Sequence, residues 1–183
     1  MADTIHLEVV TPDGLKLAAD VSEFTAPSVD GEFGVLPGHV PLLAALATGI
    51  VSYIIGGEKH AVAIGSGFAE VSDDKALLIT DRFIKKEDID PVVVRLDLKE
   101  ADEALDKFDG DLQGAAYGDL VARELWAAAE LELYGDPPPP RMKTLSELSF
   151  GQPEKYTELG ESAPESEGSE GAAPAPAGDK AAH

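Results

Sequence analysis

The stretch GIVSYIIGGEKHAVAIGSGFAEVSDDKALLITD, residues 49–81, decides the fold. Its opening run, Gly-Ile-Val-Ser-Tyr-Ile-Ile, is rich in β-branched and aromatic side chains and ends at Gly56-Gly57, a pair that tolerates the positive φ of a tight hairpin turn. Residues 60–65 return beside it. Residues 68–71 and 76–80 flank Ser72-Asp73-Asp74-Lys75, which predicts a second hairpin. Upstream, Ile5, Leu7 and Val9 alternate with His6, Glu8 and Val10, and Thr11-Pro12-Asp13-Gly14 supplies a turn before residues 15–19. Residues 21–25 continue as a strand. Short β-prone runs at this close spacing predict an antiparallel β-sandwich over residues 1–86.

After Asp81 the apolar period changes from about two to about 3.6 residues. Asp90 followed by Pro91 reads as an N-cap with proline at the first helical position, where its missing N–H costs nothing. Val94, Leu98, Ala101, Leu105 and Phe108 then form one apolar stripe, and Asp109-Gly110-Asp111 is the predicted stop, with glycine suited to a left-handed end. A second helix is predicted from about Asp119, or earlier, to Tyr134, with Val121, Leu125, Ala128 and Leu131 as its stripe and Gly135 plus the prolines at 137–140 ending it. Two such helices make an antiparallel hairpin over residues 87–135. Helices this short depend on packing, so the hairpin is expected to lean on the β domain or on another subunit.

Residues 136–183 show no sustained period, and their Pro, Glu, Ser, Gly and Ala content predicts a polyproline spacer followed by a disordered tail, with residues 144–150 as the one segment able to dock locally. The formal net charge of -21 repels nucleic-acid phosphates and anionic lipid headgroups alike, so partners are sought among proteins. The absence of cysteine removes disulfides, thiolate nucleophiles and Cys-type zinc sites. With no basic n-region before an apolar run and no stretch of about 18 apolar residues, the expectation is a cytoplasmic protein that reaches a membrane only through a partner.

Chemistry is conspicuously thin. There is no GxxxxGK[ST], and Gly65-Ser66-Gly67-Phe68-Ala69-Glu70 lacks both the last glycine of a GxGxxG pattern and its βαβ context, so a bulge or a close strand approach is the better reading. His6, His39, His60 and His183 are scattered without metal-ligand spacing, and Asp73 with Asp74 reads as a solvated turn rather than an acid-base pair. No catalytic, metal or cofactor residue is assigned, and the expectation is a non-enzyme.

The informative segment is GEFGVLPGHVPLL, residues 31–43, followed by Leu46 and Gly49. Tight-turn residues beside an apolar run suggest a compact loop displaying residues 40–43 next to His39; the alternative is a loop that tucks those leucines into the sandwich. This segment closely resembles the F-type ATP synthase epsilon family, in which GELG-[IV]-x-PGHxPLL is followed by leucine and glycine at similar spacing. HLEVVTPDG and GSGFAEVSDDKALLITD resemble the same family in the same order, so the likeness spans residues 4–134. It implies a β-sandwich clamped on the central gamma stalk and resting on the membrane c-ring, with the catalytic alpha/beta hexamer as a further partner of the hairpin. That places the protein peripherally, at the cytoplasmic face of the bacterial inner membrane. By position, His39, Val40, Pro41, Leu42 and Leu43 resemble the gamma-facing patch, and Glu32, with Thr11, Asp30 and Gly31 nearby, resembles the c-ring contact. Inhibitory relatives resemble basic helices, whereas this hairpin is mainly acidic apart from Arg95, Lys99, Lys107 and Arg123. IDPVVVRL, residues 89–96, departs from the family's [IL]DxxRA nucleotide motif, which implies no nucleotide site. The competing class is a generic β-sandwich recognition adaptor, which would need an aromatic platform; the one tryptophan, Trp126, lies in a helix.

Overall fold

The computed structural model describes residues 4–138. The tail predictions for residues 139–183, including the docking segment at 144–150, lie outside the described residues, as does His183.

Among the described residues, ten strands form one continuous ladder. They are β1 (Ile5–Thr11), β2 (Gly14–Val21), β3 (Glu23–Ser28), β4 (Gly31–Val35), β5 (Leu42–Leu46), β6 (Gly49–Ile55), β7 (Glu58–Ile64), β8 (Gly67–Ser72), β9 (Lys75–Thr80) and β10 (Phe83–Lys85). Their order is β10-β7-β6-β3-β5-β8-β9-β1-β2, with β4 paired to β3. The two halves join only where Ser28 meets Leu46, and there the ladder folds over. Ile5, Leu7, Val9 and Val21 from one half and Phe24, Val51, Val62 and Ile64 from the other bury themselves in a single core.

Among the described residues all ladders are antiparallel but one: β1 runs parallel to β9. The two strands lie far apart in the chain, so no tight turn dictates their relative direction. The hairpins fall where the turn residues placed them. Gly56 and Gly57 take φ of 59 and 87°, and Asp73 and Asp74 take 49 and 56°, the left-handed values that a two-residue hairpin loop demands and that aspartate tolerates better than most residues. The segment 31–43, which reads as a compact loop, instead holds β4 and the start of β5. Their glycines and prolines masked two short runs whose pairing is long-range.

A short 3-10 turn, Lys86–Asp88, leads into α1 (Pro91–Asp106) and α2 (Ala115–Tyr134). Asp90 caps α1 by accepting from the Val92 and Val93 N–H groups, as expected. α1 stops at Asp106, ahead of the predicted Asp109-Gly110-Asp111, and Gly110 is not left-handed; Phe108 leaves the helical stripe to pack on Tyr117 at 5.4 Å between ring centroids. Gly135 does close α2 with φ of 105°.

The predicted α2 stripe is corrected as well. Leu125 is exposed, while Glu124, Ala127, Ala129, Leu131 and Leu133 are buried. α2 lies between α1 and the sheet, so it buries two faces, and the small Ala127 and Ala129 allow close approach on both. The second apolar cluster, built on Ala63, Ile89, Val94, Ala127 and Leu131, welds the hairpin to β6 and β7.

Candidate docking faces

One flank of the sandwich is covered by the protein's own helices. The other is open. Along β5-β8-β9-β1-β2 the registers place Ala45, Phe68, Ile79, Val10 and Leu15 in one cross-strand row on the outward side. Phe68 is 61% exposed, Ile79 52% and Leu15 59%. The next row runs Leu43, Glu70, Leu77, Glu8 and Ala18, with Leu43 75% exposed. Single exposed apolar residues need no explanation, but the first row together with Leu43 and Leu77 forms an apolar patch across five strands, edged by Glu8 and Glu70, of the kind that marks a protein interface.

The segment expected to display Val40 to Leu43 borders this face. Val40 is 71% exposed, Pro41 is exposed and His39 is half-buried, its Nδ1 2.7 Å from the Val40 carbonyl oxygen. Leu42 and Leu43 lie in β5 rather than in a loop, and strand alternation turns them to opposite sides. Leu43 therefore faces out, whereas Leu42 is half-buried against the core and reaches the surface in a shallow cleft that it lines with Pro41 and Leu43. The turn before them is fixed from a distance: the Gly38 N–H donates to Asp74 Oδ1 at 2.6 Å, and the His6 N–H donates to the Asp74 carbonyl at 2.9 Å. Asp74 thus staples the loop around His39 to the β8–β9 hairpin and to β1.

Reading the sequence missed Phe68, Ile79, Val10 and Leu15. A signal was present: Leu77-Leu78-Ile79 is apolar on both sides of the strand, and such a strand has two faces to bury, only one of which the protein's own core covers.

The predicted acidic contact divides differently. Val29 and Asp30 form the tip of the β3–β4 hairpin, Gly31 enters β4 with φ of 117°, and Ser28 Oγ donates to the Gly31 carbonyl at 2.6 Å while accepting from the Asp30 N–H. Val29, Asp30, Gly31 and Glu32 are all exposed there. Thr11 is only 6% exposed, and its hydroxyl donates to the Gly14 carbonyl within the β1–β2 turn, away from the exposed β3–β4 tip residues.

On the covered flank, Arg82 stands 5.6 Å over the Trp126 ring, joining the end of the sandwich to α2 by a cation–π contact. Every cation of the hairpin meets a carboxylate: Arg95 pairs with Asp136, Arg123 with Asp97 and Glu100, and Lys99 and Lys107 with Glu103. Burial, then the Asp97 charge, raises the pKa of Glu130 beside Trp126, against the lowering effect of its bond to Trp126 and of Arg82. Of the other histidines, His6 lies 2.7 Å from Asp20 and 3.3 Å from Glu8, and its bond to Asp20 raises its pKa; His60 stacks on Tyr53. Among the described residues no cluster of three or more His, Cys, Asp or Glu is arranged to hold a metal. No helix among them is long and apolar enough to cross a membrane.

A sandwich roofed on one flank by its own helical hairpin and apolar on the other is the build of a docking subunit within a larger assembly. Residues 4–86 match the family of the ATP synthase, Delta/Epsilon chain, beta-sandwich domain. The ATP synthase epsilon chain of Nitratidesulfovibrio vulgaris is 48% identical over 90 residues, covering 49% of this chain and 67% of the relative. That of Solibacter usitatus is 34% identical over 132 residues, covering 72% of this chain and 93% of the relative. Among solved structures, a chain of the Euglena gracilis mitochondrial ATP synthase, described as OSCP/F1/c-ring in rotational state 1, superposes with a TM-score of 0.55 at 26% identity, over 74% of this chain and 80% of that one. The chain belongs to the ATP synthase epsilon chain family.

Proposed function

We propose that the open five-strand face seats this subunit on the gamma shaft of an F-type ATP synthase, and that the exposed β3–β4 tip, with Asp30, Gly31 and Glu32, meets the polar loops of the c-ring. His39, Val40, Pro41 and Leu43 form one border of the seat, and Phe68, Ile79, Val10 and Leu15 extend it. The subunit turns with the shaft and helps couple proton flow to ATP synthesis, making and breaking no bond itself. It sits peripherally at the cytoplasmic face of a bacterial inner membrane, reaching the membrane only through the complex. Residues 87–135 act as a regulatory domain. Its cations are already neutralised by its own carboxylates, so it restrains hydrolysis by the alpha/beta hexamer weakly.

The observation that supports this reading is the exposure of Leu43, Phe68, Ile79 and Leu15 together on one sheet. Desolvating such a row supplies much of an interface's affinity, while the Glu8 and Glu70 beside it set orientation. Reconstitution tests it. Membranes carrying the rest of the synthase should recover ATP-driven proton pumping when this chain is added back. Full pumping in its absence would refute the coupling role.

A further inference from the structure

A second feature lies on the other half of the ladder, at its free edge. β10 pairs with β7 only from Phe83↔Ile64 to Lys85↔Val62. The remainder of β7, from Glu58 to Ala61, bonds to β6 on one side and meets no strand on the other. Beside this edge opens a cleft of about 610 Å³ lined by Tyr53, Lys59, His60, Lys85 and Lys86, with Glu87 as its one acidic side chain.

These cations differ from those of the hairpin. Lys59, Lys85 and Lys86 have no ion-pair partner among the described residues, although the chain carries 35 acidic side chains. The His60 ring is held stacked on Tyr53 at 5.5 Å. A lysine on an edge strand commonly guards against unwanted pairing, which accounts for Lys59. It does not account for Lys85 and Lys86, which reach the same cleft from β10 and the following turn. Three unneutralised cations beside unpaired main-chain donors and acceptors match one kind of occupant on both counts.

We propose that the β7 edge and this cleft form a docking site for an extended acidic segment of another polypeptide. Such a segment adds a short strand along residues 58–61 and sets its carboxylates against Lys59, Lys85 and Lys86, with main-chain bonds fixing its direction and the charges selecting its composition. The site lies apart from Leu43, Phe68 and Ile79 of the open face, although Leu17 of β2 and Leu133 of α2 also line the cleft.

The test is fluorescence anisotropy with the full chain and a labelled octapeptide of alternating Glu and Thr. Saturable binding is expected. It should weaken about tenfold or more in the pair Lys85→Glu with Lys86→Glu, and comparably when alternate amides of the peptide are N-methylated. Lys59→Gln, on the exposed part of the edge, should weaken it less. Unchanged affinity after charge reversal, or equal binding of the N-methylated peptide, would overturn the proposal. Displacement by tripolyphosphate at the same concentration as by unlabelled peptide would overturn it too, since it would mark a site that reads charge alone.

Discussion

Replacing Gly67 with alanine tests how the open face is built. A Cβ on Gly67 would stand 1.9 Å from the Ile79 carbonyl oxygen and 2.9 Å from Thr80 Cα, both main-chain atoms of the neighbouring strand. Carbon and oxygen settle no closer than about 3.3 Å, so β8 and β9 would have to part by roughly 1.4 Å. That breaks the ladder around Gly67↔Thr80 and Phe68↔Ile79. Each lost bond costs about 1 kcal/mol, and the strain passed to the core beneath adds about 1–3 kcal/mol. A loss of about 3 kcal/mol is therefore expected, a large part of the about 5–15 kcal/mol that holds a domain together. Gly34→Ala is the control. Its Cβ would meet only Thr25 Cγ2 at 3.7 Å, an ordinary contact, so its effect should stay within about 0.5 kcal/mol. Urea unfolding followed by circular dichroism measures both. A Gly67→Ala variant that loses less than about 1 kcal/mol would show that the close approach is not required.

Other perturbations read other parts of the molecule. Asp74→Ala removes the acceptor for Gly38 N–H and places a poorer residue at φ of 56°, so it should cost about 1–2 kcal/mol, while Asp74→Asn should cost less; thermal unfolding compares them. The His6 pKa is raised above 6.5, chiefly by its bond to Asp20, so this pair's contribution is complete below 6.5 and fades as pH rises through the raised value. A proton NMR titration should show that raised value, and Asp20→Asn should bring it back toward 6.5; no movement would remove Asp20 as the cause. Burial raises Glu130 above its ordinary 4.5, so the neutral acid suits the docked hairpin and docking weakens as pH climbs from 4.5 through the raised value. Trp126 fluorescence should report that change, with the step lost in Glu130→Gln.

Local chemistry made much of the fold legible. Gly56-Gly57, Asp73-Asp74 and Thr11-Pro12-Asp13-Gly14 fixed three hairpins because a turn's φ demands select a few residue types, and Asp90-Pro91 fixed the start of α1 for the same reason. What lay hidden was long-range. β4 and β5 take their conformation from partners distant in sequence, the β1–β9 ladder is parallel without any local signal, and α2 buries Ala129 and Leu133 because a sheet lies under it. The docking face was half visible. Val40, Pro41 and Leu43 stood in a recognisable segment, whereas Phe68 and Ile79 became neighbours only through register. Which of Leu42 and Leu43 turns outward is not legible until their segment is known to be a strand, because alternation cannot be phased before then.

The most direct measurement is the affinity of this chain for a gamma-type shaft subunit, by calorimetry, in the wild type and in Leu43→Asp and Phe68→Asp. Both side chains are exposed, so the variants should fold and unfold like the parent. The account predicts at least about a hundredfold loss of affinity in each, since a carboxylate would be stranded in an apolar contact. Wild-type affinity in both variants would contradict it.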